Sequence, residues 1–93
     1  MIASFRDDAT ECIWQGNFSK KLPNRIQALA RRKLRMLNSA RRIDDLRVPP
    51  NNRLEALSAD RAGQWNIRID EQWRVCFEWD KGQAARVDIC DYH

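Results

Sequence analysis

The sequence predicts an α+β fold in which two N-terminal helices pack on a small antiparallel β-sheet, because the period of the apolar residues changes along the chain. Up to about residue 45 they recur at helical spacing, and after residue 63 they alternate with polar ones. Charge divides in a similar place. Residues 18 to 54 hold eleven lysines and arginines against two acids, a balance of +9, while the other 56 residues carry −5. A chain of 93 residues predicts one domain spanning residues 1–93, with one core and a shallow surface site rather than an enclosed cofactor pocket.

Each element has its own signal. Ile2 to Arg6 reads as a short strand, and Asp7-Asp8 then starts a helix to about Gly16, since acids suit the positive end of a helix dipole. Pro23 fits the first turn of a second, longer helix that should reach about Asp45, with Asn38-Ser39 as a point where it can kink or divide. On its wheel Ile26, Leu29, Ala30, Leu34, Met36, Leu37, Ala40 and Ile43 share one half, and Arg31, Arg35 and Arg42 form a stripe on the other. Val48-Pro49-Pro50 must end it. Three strands follow, with apolar odd-numbered positions: Trp65, Ile67 and Ile69; Trp73, Val75, Phe77 and Trp79; Ala85, Val87 and Ile89. The connections Asp70-Glu71-Gln72 and Asp80-Lys81-Gly82-Gln83 are short enough for hairpins, with Gly82 suited to a positive φ. The result is a meander with one face on the helices and one open, the open face holding Arg68, Arg74, Glu78, Arg86, Asp88 and Tyr92. Three of the four tryptophans share the apolar parity and belong to the core, not to a base-stacking surface.

Composition excludes several classes. No apolar run approaches the roughly 18 residues of a membrane span, and the N-terminus lacks the basic-then-apolar order of a signal peptide, so a cytosolic protein is expected with no membrane partner. Three cysteines are too few for a disulfide framework and suggest inert thiols in a reducing compartment. Cys90 and His93 offer only part of a zinc ligand set, so neither metal nor cofactor is expected. The basic segment should attract a polyanion.

Residues able to carry chemistry collect at the end of the chain. Asp91-Tyr92-His93 places the only tyrosine and the only histidine beside a carboxylate, a group of side chains suited to moving protons. Cleaving RNA without a metal needs a base for the 2′-OH, cations for the pentacovalent phosphate and an acid for the 5′-oxygen. Arg74, in mid-strand, suits bidentate phosphate binding; alternatively it forms an ion pair with Glu78 or a neighbouring strand. Arg53, Glu55 and Arg61 enter the meander and could add cations and a carboxylate.

The runs Asn52-Arg53-Leu54-Glu55-Ala56-Leu57, Asp60-Arg61-Ala62-Gly63-Gln64-Trp65-Asn66-Ile67-Arg68, Gln72-Trp73-Arg74-Val75-Cys76-Phe77 and terminal Asp91-Tyr92-His93, with the opening Met-Ile-x-Ser-Phe, resemble the HigB toxins, or plasmid maintenance killer proteins, of the RelE/ParE superfamily. That resemblance implies a RelE/ParE toxin-like, microbial-RNase-like fold and an endoribonuclease that cuts mRNA in the ribosomal A site. It implies a helix-turn-helix antitoxin, HigA, as partner, with operator DNA reached only through the toxin–antitoxin complex. It assigns Arg74 to the scissile phosphate and Asp91, Tyr92 and His93 to catalysis. Glu55 stands where some members place a histidine, which leaves acid and base unassigned between Glu55, Asp91 and His93. Arg53, Arg61 and Arg68, with the Arg31, Arg35 and Arg42 stripe, would meet RNA or the ribosome. The alternative is a non-enzymatic toxin of ParE type that binds a protein such as DNA gyrase.

Overall fold

The structure, a computed structural model, describes residues 1–57 and 63–91. Its first helix, α1 (Asp8–Trp14), is capped by Asp7, whose carboxylate accepts the Thr10 N–H at 2.8 Å and so satisfies one of the unpaired donors of the first turn. The second, α2 (Asn24–Ser39), begins directly after Pro23. It ends earlier than the sequence suggests. Ala40 turns into extended backbone, and a separate 3₁₀ turn, Ile43–Arg47, follows, held by the Asp45 carboxylate accepting the N–H groups of Arg41 and Arg42.

Four antiparallel strands form one sheet in sequence order: β1 (Glu55–Ala56), β2 (Gln64–Arg68), β3 (Trp73–Asp80) and β4 (Gln83–Asp91). The β3–β4 loop is the two residues Lys81 and Gly82, both at positive φ, as a tight hairpin requires. The residues near the N-terminus make isolated parallel bridges from Ile2 and Phe5 to Ala84 and Val87 instead of a strand. Where they meet β4 the alternation breaks. Glu78 faces Ala85 and Cys76 faces Asp88, so Arg86 and Val87 together oppose Phe77, and Arg86 takes a φ of 51°. This bulge puts Ala84, not Ala85, in the core with Val87 and Ile89.

Ile13 from α1 and Ile26, Ala30, Leu34 and Leu37 from α2 bury one sheet face by packing on Ile67, Val75, Phe77, Val87 and Ile89. Trp65, Trp73 and Trp79 pack at its margin, in keeping with their parity. Polar ties fix the layers. Fully buried Thr10 accepts the Ile89 N–H at 2.9 Å, joining α1 to β4. Asn52, also fully buried, accepts from Lys33 Nζ at 2.6 Å and donates to the Leu46 carbonyl at 3.1 Å, which fastens the proline segment to α2. Lys33 is therefore drawn inward from the basic segment, and burial, with Arg32 beside it, lowers its pKa below the ordinary 10.5.

The expectation of three inert thiols is corrected. Cys76 and Cys90 are 14 residues apart in the chain but lie diagonally across β3 and β4 on the face away from the helices, and they form a disulfide; Cys12 is free.

Candidate active site

The uncovered sheet face carries a groove of about 210 Å³ over the centre of β2, β3 and β4. Its walls include Gln64 and Asn66 from β2, Cys76 and Glu78 from β3, and Arg86, Asp88 and Asp91 from β4, with Arg6 at one side. Glu78, Arg86 and Asp88 are residues that alternation assigns to the open face; Asp91 and Arg6 are not.

Arg74 hydrogen-bonds to Asn66 on the groove wall and is not an open surface residue. It is 8% exposed, and its Nη1 donates to Asn66 Oδ1 at 3.1 Å, with Glu55 Oε1 at 3.6 Å. Glu78, the partner considered from sequence, is engaged instead with Arg86 at 3.6 Å. Glu55 faces Asn66 across β1 and β2, and Arg74 lies two residues before the Asn66 partner Cys76, so the three side chains cross the sheet diagonally. A short β1, which sequence did not indicate, thus brings Glu55 to Arg74.

A second set of bonds holds the turn before Arg74. The Asp70 carboxylate accepts the N–H groups of Gln72 and Trp73, each at 2.8 Å, and pairs with Arg25 from α2. Gln72 Nε2 in turn donates to Asp91 Oδ2 at 3.1 Å, linking the β2–β3 turn to the end of β4. Burial raises the Asp70 pKa, but the Trp73 and Gln72 N–H groups and Arg25 outweigh it, and the net pKa lies below the ordinary 3.8. Because the folded pKa is depressed, the stabilisation from Asp70 is complete above the unfolded pKa and is lost as pH falls through the folded one. Asp70→Asn is expected to flatten the acid limb of a stability-versus-pH curve below about pH 4, the unfolded carboxylate range. An unchanged acid limb in urea melts across that range would refute the assignment.

The remaining site expectations divide. Asp91 lies on the groove wall, while Tyr92 and His93 fall outside the described residues, as does Arg61. Arg53 is exposed, in a left-handed turn before β1. Arg68 pairs with Arg74 in the sheet register but lines a different cleft, with Leu29, Lys33 and Glu71. The helical arginine stripe is corrected. Arg35 is exposed on α2, Arg42 lies beyond the end of the helix, and Arg31 is half-buried with its guanidinium over Gly16, where only a residue without a side chain leaves room. Asn66 was missed. Its signal was an asparagine in a strand between Trp65 and Ile67, a setting that disfavours the residue.

Two helices packed on one face of a four-stranded antiparallel sheet make an α+β fold consistent with that of the RelE-like toxins. Residues 3–93 match the model of the HigB-like toxins, described as the RelE-like toxin of the type II toxin–antitoxin system HigB, and the chain belongs to that family. It is 35% identical over 88 residues to Toxin HigB-1 of Vibrio cholerae, covering 94% of this chain and 93% of that one. It is 26% identical over 93 residues to Endoribonuclease HigB of Proteus vulgaris, covering both chains completely. An uncharacterised Haemophilus influenzae protein is 32% identical over 84 residues, 89% of this chain and 83% of that one. Membership of a type II system implies an antitoxin partner.

Proposed function

We propose that this toxin is an endoribonuclease that cuts mRNA in the ribosomal A site without a metal ion, and so inhibits translation and growth. The observation that carries the reading is Arg74, a cation fixed by Asn66 and Glu55, with Asn66 on the wall of the groove that also holds Asp91. A guanidinium held in place before the reaction need not reorganise as negative charge builds on the phosphate. In this scheme a base takes the 2′-OH proton, the 2′-oxygen bonds to phosphorus as the bond to the 5′-oxygen breaks, and an acid protonates that leaving oxygen. Glu55, Asp91 and His93 are the candidates for base and acid, with Tyr92 beside them. The name of the Proteus relative supports ribonuclease chemistry, and the helix-turn-helix antitoxin HigA is the proposed partner, carrying the pair to operator DNA.

The shallow groove gives the ribosome a positioning role, since the domain alone offers little to hold an RNA in attack geometry. The test compares free and ribosome-bound mRNA, mapping the new 5′ ends. Cuts within A-site codons, fast only on programmed ribosomes, are expected. Equal cutting of naked RNA at the same codons would overturn the ribosome-dependent reading.

Arg35 and Arg42, both exposed, are proposed to meet ribosomal RNA, as are Arg53, Arg61 and Arg68. Replacing Arg35 and Arg42 by glutamine should weaken ribosome binding and make the dependence of log affinity on log salt shallower, by roughly 0.7 to 0.9 in slope for each phosphate that is no longer neutralised. Arg31, tucked against α1, is expected to contribute less. An unchanged slope across a salt titration would leave the two arginines as ordinary solvated charges.

A further inference from the structure

We propose that Asn66 is the positioning residue for Arg74: a buried, uncharged amide that fixes the guanidinium while leaving its positive charge for the RNA phosphate. This rests on the reading of Arg74 as the phosphate-binding group.

Asn66 is wholly buried in the middle of β2, between Glu55 on β1 and Cys76 on β3. A guanidinium only donates hydrogen bonds, so the amide must turn its oxygen to Arg74, as it does at 3.1 Å. The other end of the amide is then committed. Nδ2 is buried and has no hydrogen-bond partner among the described residues. An unsatisfied donor opposes folding, and asparagine is among the residues least suited to a strand interior. Stability alone would favour apolar side chains at both positions of the pair. The arrangement makes sense if the amide oxygen is kept for what it holds.

The choice of amide over carboxylate matters as much. Glu55, 46% exposed, sets a carboxylate 3.6 Å from Arg74, where water weakens its hold. A carboxylate in the position of Asn66 would be buried against the guanidinium and would compete with the phosphate for it. A neutral acceptor fixes direction without that competition.

Four variants test this, with single-turnover cleavage on programmed ribosomes, ribosome affinity and thermal melts measured for each. Asn66→Ala removes the bond and should lower kcat about tenfold, near the low end for a hydrogen bond to a charged group, with KM unchanged. Asn66→Asp keeps side-chain volume and hydrogen bond, should fold at least as stably, and should lower kcat further than Asn66→Ala, by about a hundredfold. A purely structural role would give the opposite order, since the aspartate variant is the better folded. On an Arg74→Lys background, Asn66→Ala should add little, because the group it positions is gone. Wild-type kcat in both Asn66 variants, beside a crippled Arg74→Lys, would overturn the inference and leave the function intact. Full cleavage by Arg74→Lys would instead overturn the reading of Arg74.

Discussion

Arg74→Ala should lower the single-turnover cleavage rate on programmed ribosomes by about a hundredfold to a thousandfold, the usual effect of removing one fixed donor from a developing oxyanion. A residue on an open sheet face, where alternation alone puts Arg74, could be removed with little effect on stability. Burial changes that expectation. With the guanidinium gone, Asn66 Oδ1 loses its partner in a closed setting, a loss of about 1–3 kcal/mol. Arg74→Lys is the sharper variant, because it keeps a positive charge but not the planar fork that meets both amide and phosphate. It should melt near the wild type and bind antitoxin normally while remaining far below wild-type cleavage. Wild-type rates in Arg74→Lys would show that charge alone suffices and that fixed geometry does not matter. If instead both variants unfold, Arg74 is a structural arginine, and the ion-pair alternative weighed from sequence is the better description, with Glu55 as its carboxylate.

Much of this arrangement was legible because alternation is a direct record of which sheet face is buried. The runs Trp65–Ile69 and Trp73–Trp79 assigned Arg74 to the correct strand and side, and the Asp7 cap and Pro23 marked the starts of both helices. Legibility failed where local pattern and tertiary structure disagree. The bulge at Arg86 depends on the N-terminal segment pairing with β4, from the opposite end of the chain, so no local window contains both partners. Strand β1 is two residues long, too short to show any period, yet it delivers Glu55. The Cys76–Cys90 bond needs the hairpin register before the two positions become neighbours. Arg31 lay on the exposed side of the wheel, but α1 ends against that side and Gly16 leaves space for the guanidinium. Asn66 was visible as an oddity only. Its meaning required the distance to Arg74.

Deleting Tyr92 and His93 is the second large effect expected, and it separates chemistry from folding more cleanly than any change at Arg74. The last described core residue of β4 is Ile89, and β4 pairs with β3 through Asp91, so the deletion leaves every described core residue and every described β3–β4 pair in the chain. A deletion that spares the core is expected to change stability by no more than about 0.5 kcal/mol. Removing a proton-transfer group, by contrast, slows a reaction by about a hundredfold to ten-thousandfold. The deletion should therefore melt like the full chain and still associate with ribosomes, yet cut A-site codons at a small fraction of the normal rate. His93→Gln alone should lower kcat with little effect on KM, because a proton acceptor and donor is lost while the side-chain volume is nearly kept. Asp91→Asn provides the comparison, since Asp91 lies on the groove wall and also accepts from Gln72, which ties it to the turn before Arg74. If the deletion cleaves at the full rate, proton transfer must come from Glu55 and Asp91, and Glu55→Gln should then abolish what His93→Gln leaves intact.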